Sequence, residues 1–241
     1  MLTPLMAFTL STICWSLWVR RYTWRRSGEV CLTLNLAMQG GAVALMSPIS
    51  SATIGHWLHR ATGHHNLEDY IGLDLYVLAA TAVVMDALHH LDIDRGDRFR
   101  RFVEVPATLT IPTLLPLFAL GGGVRVYHPD IFRVPVTDGW FLAFWLVLCS
   151  SLIYFLIYAM RSLVPLWKHR PSRRIAGIYM TATASGILAC LARITTAFMP
   201  SEVQDTMTAS LAVWVPALGC GAIFALAAGW VWVSRTRLVP L

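Results

Sequence analysis

Apolar residues run along this chain in long blocks broken by short polar clusters. Blocks at about residues 3–19, 30–51, 70–91, 106–123, 140–167, 176–199 and 207–233 are each long enough to cross a membrane as a helix. None alternates with the period of two that marks a half-buried strand. The pattern predicts an all-α protein, an integral membrane bundle of seven transmembrane helices in one domain spanning residues 1–241. Trp140 and Trp167 bracket the fifth block as interfacial anchors. The fourth carries Pro112 and Pro116 and ends in Gly121, Gly122 and Gly123, so a kink is expected there. The first block has no basic stretch before it and no small-residue cleavage site, and reads as an uncleaved anchor. The connection at about 52–69 is read as a histidine-rich loop.

Composition agrees with a bilayer as solvent. Hydrophobic residues make up 56% of the chain, charged residues 13%, and the mean hydropathy is +0.60. The net charge of +6 could point to nucleic acid, but the charges fall in clusters between apolar blocks. Fourteen basic residues fall in the odd-numbered connections and the tail, against three (Arg60, Arg125 and Arg133) on the other side. That asymmetry predicts the N-terminus out and the C-terminus in, with the basic loops against anionic lipid headgroups and no nucleic-acid partner. The expected location is the cytoplasmic membrane. The five cysteines lie in apolar blocks without CxxC spacing and read as reduced core thiols.

Candidate chemistry concentrates between Ser47 and Leu91, which holds six of the eight histidines together with Asp74 and Asp86. An ionisable group within a span normally faces the bundle interior with a partner. Depth along the helices suggests two layers, Asp74 with Arg193 outside and Asp86 with Arg161 inside. Asn35 and Gln39, one turn apart on the second span, add amides to this polar interior, which is the candidate ligand or ion pathway. Ala217, Gly221, Ala225 and Gly229 recur every fourth residue and predict close helix packing, within the bundle or across a homodimer seam. Asp86, His89 and His90 are weak candidates for metal ligation, but the other histidine group, at His56, His59, His64 and His65, lies on the opposite membrane face, so no metal site and no cofactor are expected. The outer histidines could instead sense pH. The last span has no lysine for a retinal Schiff base, and no hydrolase or phosphate-binding motif is present.

The segment around Thr62, Gly63, Asn66 and Leu67 resembles the second connection of actinobacterial (or actinophage) seven-span membrane proteins described as transporters. The resemblance extends loosely over all seven spans, including Arg193. It implies a cytoplasmic C-terminal domain, from which this chain departs by ending at Leu241. Taken together, the readings predict a non-enzymatic sensor, or an interaction and signalling module with a membrane or cytoplasmic protein partner. A small-solute or ion transporter is the alternative. An intramembrane metal-dependent hydrolase is a remote third.

Overall fold

The computed structural model describes residues 2–25, 28–89 and 100–238. Its long helices are α1 (Leu2–Val19), α2 (Val30–Leu45), α3 (Pro48–Thr62), α4 (Leu67–His89), α5 (Arg100–Leu120), α6 (Gly139–Lys168), α7 (Arg173–Ala197) and α8 (Met207–Leu238). No strand occurs among the described residues. Six helices are long and apolar enough to cross a membrane, and a seventh crossing is available if the bent pair α2–α3 counts as one span.

That pair departs from the sequence reading. The second block does not run straight to residue 51, and the connection after it is mostly helical. Ser47 caps a new helix by accepting from the Ser50 amide, and Pro48 fits the first turn because its missing N–H has no helical partner there. The result is a 57° bend between α2 and α3. A π-turn at Ser51–Gly55 follows, and α3 closes on Gly63, whose φ of +78° suits a residue without Cβ. The true loop is only residues 63–66. The fourth block starts earlier than expected, at Arg100, and runs as helix through both prolines.

Helix packing forms a closed ring. In order, α1 packs on α2, α2 on α4, α4 on α6, α6 on α7, α7 on α8, and α8 back on α1, while α5 lies outside against α6. Small residues permit the closest approaches. A Cβ at Gly72 of α4 would come 2.6 Å from Met46 Cγ and 3.2 Å from the Ala42 carbonyl oxygen of the α2 side. The stripe on α8 faces inward in the same way, with Gly221 against Thr9, Ile13 and Gln39, and Gly229 against Trp15. Aromatic rings fill one end of the ring: Phe118 and Phe141 each meet Phe144, which touches Trp145, and Phe132 bridges Trp145 to Trp214. Each such pair adds about 0.5–1.5 kcal/mol beyond its area. The outward faces carry exposed Leu109, Leu188 and Trp230, as lipid-facing surfaces do.

Three connections interlock over that aromatic end. Asn66 donates from Nδ2 to the carbonyls of Gly123 (2.7 Å) and Val126 (3.0 Å) and accepts from the His128 amide at 3.2 Å. Arg133 donates to the backbone carbonyl and carboxylate of Asp205, at 2.9 Å to each from Nη2. Gln204 accepts from the Val136 amide. The second, fourth and sixth connections therefore lie on one face, as a chain crossing and recrossing requires. Within this cap the turn Ile131–Arg133 dips into the ring and buries Ile131 and Phe132.

Candidate functional site

A chamber of about 90 Å³ lies at the centre of the ring. Its walls are mostly apolar: Leu73, Ala80 and Val83 from α4, Leu148 and Leu156 from α6, and Ala189 from α7. The thiols of Cys149, Cys190 and Cys220 are also in the wall. The polar groups are few and are placed by helical spacing. Gln39 reaches it from α2, Tyr76 from α4, Trp145 from α6 and Arg193 from α7, with Phe132 of the cap closing one side.

Arg193 dominates the electrostatics. It is only 1% exposed. Its guanidinium carbon lies 4.1 Å from the centroid of the Trp145 ring, a cation–π distance. Nη1 donates at long range to the Phe132 carbonyl (3.5 Å) and Thr196 Oγ1 (3.4 Å). Nε and Nη2 have no partner. Two more donors on the chamber are unused, the Trp145 indole N–H and the Tyr76 hydroxyl. Gln39 Nε2 is occupied, donating to Asn35 Oδ1 at 2.8 Å, so the two amides expected on one face of the second span bond each other. Unused donors in an otherwise apolar cavity define a site that can accept electron-rich groups.

The neighbouring carboxylate, Asp130, acts on Arg193 through space and not by an ion pair in contact. Its oxygens accept from Ser210 Oγ, from the Trp214 indole at 3.2 Å and from the Phe132 amide at 3.2 Å. Those bonds tie the cap to α8. No ion pair joins Asp130 to Arg193, so the guanidinium keeps its charge without a close counter-ion among the described residues.

Beside the chamber, the start of α4 carries further buried acids. Asp69 is 1% exposed and both its oxygens lack a hydrogen-bond partner. Glu68 rests against the π-turn of α3, where a Cβ on Gly55 would come 2.6 Å from its Oε1. Above them His59 and His65 stack with ring centroids 3.7 Å apart, and His56 meets Tyr127 edge-on at 5.4 Å. Burial, with His59 and His56 nearby, holds the His65 imidazole below its ordinary range. Burial and the adjacent Glu68 and Asp69 raise the Tyr127 phenol. Among the described residues no three His, Cys, Asp or Glu side chains converge as metal ligands.

The proposed depth-matched pairs are not formed. Asp74 stands one helical turn from Tyr70 on its own helix and its Oδ1 is unpartnered, while Arg193 lies over Trp145. Equal depth did not suffice because the two side chains approach the ring interior from α4 and α7, which are not neighbours in the ring. Arg161 is exposed and forms no ion pair with Asp86. Asp86 instead lines a cleft of about 310 Å³ at the opposite end of the ring, with Arg20 and Glu29. There Arg20, 1% exposed, pairs with Glu29 at 3.0 Å and donates to Thr33 and to the Ala228 carbonyl. His90 lies outside the described residues, as do Arg26, Arg95, Arg98 and the side chain of His89.

Sequence reasoning missed Trp145, Tyr76, Asp130, Asp69 and Arg20 as site residues. A signal for the α7 wall was present: Gly186, Ala189, Cys190 and Arg193 recur at three- and four-residue spacing on one face. No family model, characterised protein or solved structure matches this chain.

Proposed function

We propose that the protein is a non-enzymatic sensor of the cytoplasmic membrane, which binds a small ligand at the centre of its helix ring and signals through its basic inner surface. One observation carries this reading: Arg193 is buried beside an apolar chamber with two guanidinium nitrogens unpartnered. An ionisable group held at such a depth is costly, and the cost is retained where the group has a task. The chamber has the shape of a binding pocket, concave and apolar with a few placed polar groups. In this reading α2 and α3 form one interrupted span, giving seven crossings with the N-terminus out and the C-terminus in. The clustered arginines would then lie on anionic lipid headgroups or on a protein partner, including a second copy of the chain.

A transporter is the second reading. It is supported by the broken α2–α3 pair, by the unpartnered carboxylate of Asp69 and by the unpartnered Oδ1 of Asp74, since interrupted helices commonly flank transport sites. Flux in proteoliposomes separates the two. Saturable ligand binding without flux supports the sensor. Solute-coupled flux abolished by Asp74→Asn would overturn it. Single-cysteine labelling checks the orientation: reagent applied from outside should miss Tyr22→Cys and modify Arg125→Cys.

A further inference from the structure

We propose that the chamber ligand is a short-chain monocarboxylate, its carboxylate seated on Arg193 and its carbon body in the apolar space against Leu148, Ala189 and Cys190. This rests on the chamber being a ligand site and adds the chemical class.

The argument begins with which nitrogens are free. Nη1 is committed to the Phe132 carbonyl and Thr196. The unpartnered pair is Nε and Nη2, whose N–H bonds run parallel along one edge of the guanidinium. That edge is the two-pronged donor that matches two oxygens on one planar carbon. The Trp145 ring fixes the plane of the fork, and its indole N–H is a third unused donor on the same chamber. The charge also fits. With Asp130 occupied by Ser210, Trp214 and the Phe132 amide, a bound monoanion would supply the close counter-charge that Arg193 lacks. A cationic or neutral ligand would leave the buried guanidinium with no anion in contact.

Size sets the body of the ligand. A cavity of about 150 Å³ lined by apolar side chains holds benzene. At about 90 Å³ this chamber takes a smaller body, on the order of three to five carbons. Octanoate is too long.

The test uses the whole chain in lipid nanodiscs, with thermal stability and thiol protection as paired readouts. Butyrate and isobutyrate should raise the melting temperature saturably. They should also slow modification of Cys149, Cys190 and Cys220 by methyl methanethiosulfonate, read by mass spectrometry, while exposed Cys14 reacts at its unliganded rate. Butyramide and butylamine, close in size, should bind at least tenfold more weakly, and octanoate should not protect. Arg193→Gln should abolish the preference for butyrate over butyramide, and Arg193→Lys should retain part of it. The wild-type series stands alone if Arg193→Gln fails to fold. Equal protection by butyramide and butyrate would overturn the proposal while leaving a ligand chamber in place. Chloride or nitrate stabilising as well as butyrate would assign the fork to an inorganic anion and overturn it too. If no probe protects the three thiols, the proposal and the chamber reading fall together.

Discussion

Asn66 holds the cap together, and its replacement gives a magnitude that can be worked out. Its side chain is 1% exposed and makes three hydrogen bonds to the fourth connection: two donated, to the Gly123 and Val126 carbonyls, and one accepted, from the His128 amide. Each such bond contributes about 0.5–1.5 kcal/mol net, so Asn66→Ala should cost about 2–4 kcal/mol. Backbone adds to this. Asn66 has φ of +58°, which asparagine tolerates and alanine resists by about 1 kcal/mol. The two contributions separate by comparing variants. Asn66→Gly loses the same bonds without the steric cost, so it should be more stable than Asn66→Ala by about 1 kcal/mol. Asn66→Asp keeps the acceptor and loses both donors, and faces two carbonyl oxygens with negative charge. It should be at least as damaging as Asn66→Gly. Reversible chemical unfolding in mixed micelles, followed by loss of helical circular dichroism, measures all three. If Asn66→Ala unfolds within about 0.5 kcal/mol of wild type, the cap is not held by this residue.

Three further outcomes follow from the packing and the charges. Arg20→Ala removes the donor to Glu29, Thr33 and the Ala228 carbonyl and should lose about 1.5–3 kcal/mol, whereas Arg21→Ala, at an exposed site, should stay within about 0.5 kcal/mol of wild type by the same unfolding assay. Gly72→Ala places a methyl against Met46 and the α2 backbone and should lower stability by about 1–3 kcal/mol, with Met46→Ala recovering part of the loss if the clash is the cause. Acid should loosen the cap. The folded state holds His65 below the ordinary imidazole value of 6.5, so the unfolded chain binds the proton more readily; the His65 contribution is full above that value and is lost as pH falls through the lower folded value. The protection factors of the Val124–His128 amides, with the intrinsic fall in exchange rate divided out, should therefore drop on going from pH 7 to pH 5, and His65→Gln should flatten that change.

Periodicity carried the helices because lipid demands continuous apolar length, and that demand is written residue by residue. The candidate site was legible only where its members share one helix. Asn35 and Gln39 sit four apart and bond each other; the small residues of α8 sit four apart and face α1 and the ring interior. Depth matching of Asp74 with Arg193 failed because depth fixes one coordinate, and the rotation of each helix about its axis fixes the other. The cap was invisible for a different reason. Asn66 satisfies backbone groups 57 to 62 residues away, Asp130 accepts from side chains 80 and 84 residues away, and no local pattern announces such partners. Arg20 read as one more member of a basic loop cluster, yet it is enclosed while Arg21 is exposed. The difference is a 100° turn at the end of α1, which points one side chain at Thr33 and α8 and the next at the surface.

The two buried arginines mark the two ends of one mechanical element. Helix α8 meets the cap through Ser210 and Trp214, lines the chamber with Val213, Ala217 and Cys220, and accepts from Arg20 at Ala228. Ser210 and Ala228 are about 27 Å apart at 1.5 Å per residue, close to the thickness of the hydrocarbon core. The helix runs unbroken over that length with Pro216 inside it, where the chain lacks one N–H and the Pro216 carbonyl accepts from Ser185 of α7. Its contacts at both ends are charge-assisted hydrogen bonds rather than sliding apolar surfaces. Phe132 touches the chamber and supplies a carbonyl to Arg193, while Asp130, two residues earlier, grips α8. Anything that moves the guanidinium of Arg193 therefore acts on the cap turn, and through Asp130 on α8. The Arg20–Glu29 pair at the far end sits where such a displacement would be felt, in a cleft that Asp86 also lines. This continuity makes α8 the helix along which occupancy of the chamber would reach the basic face.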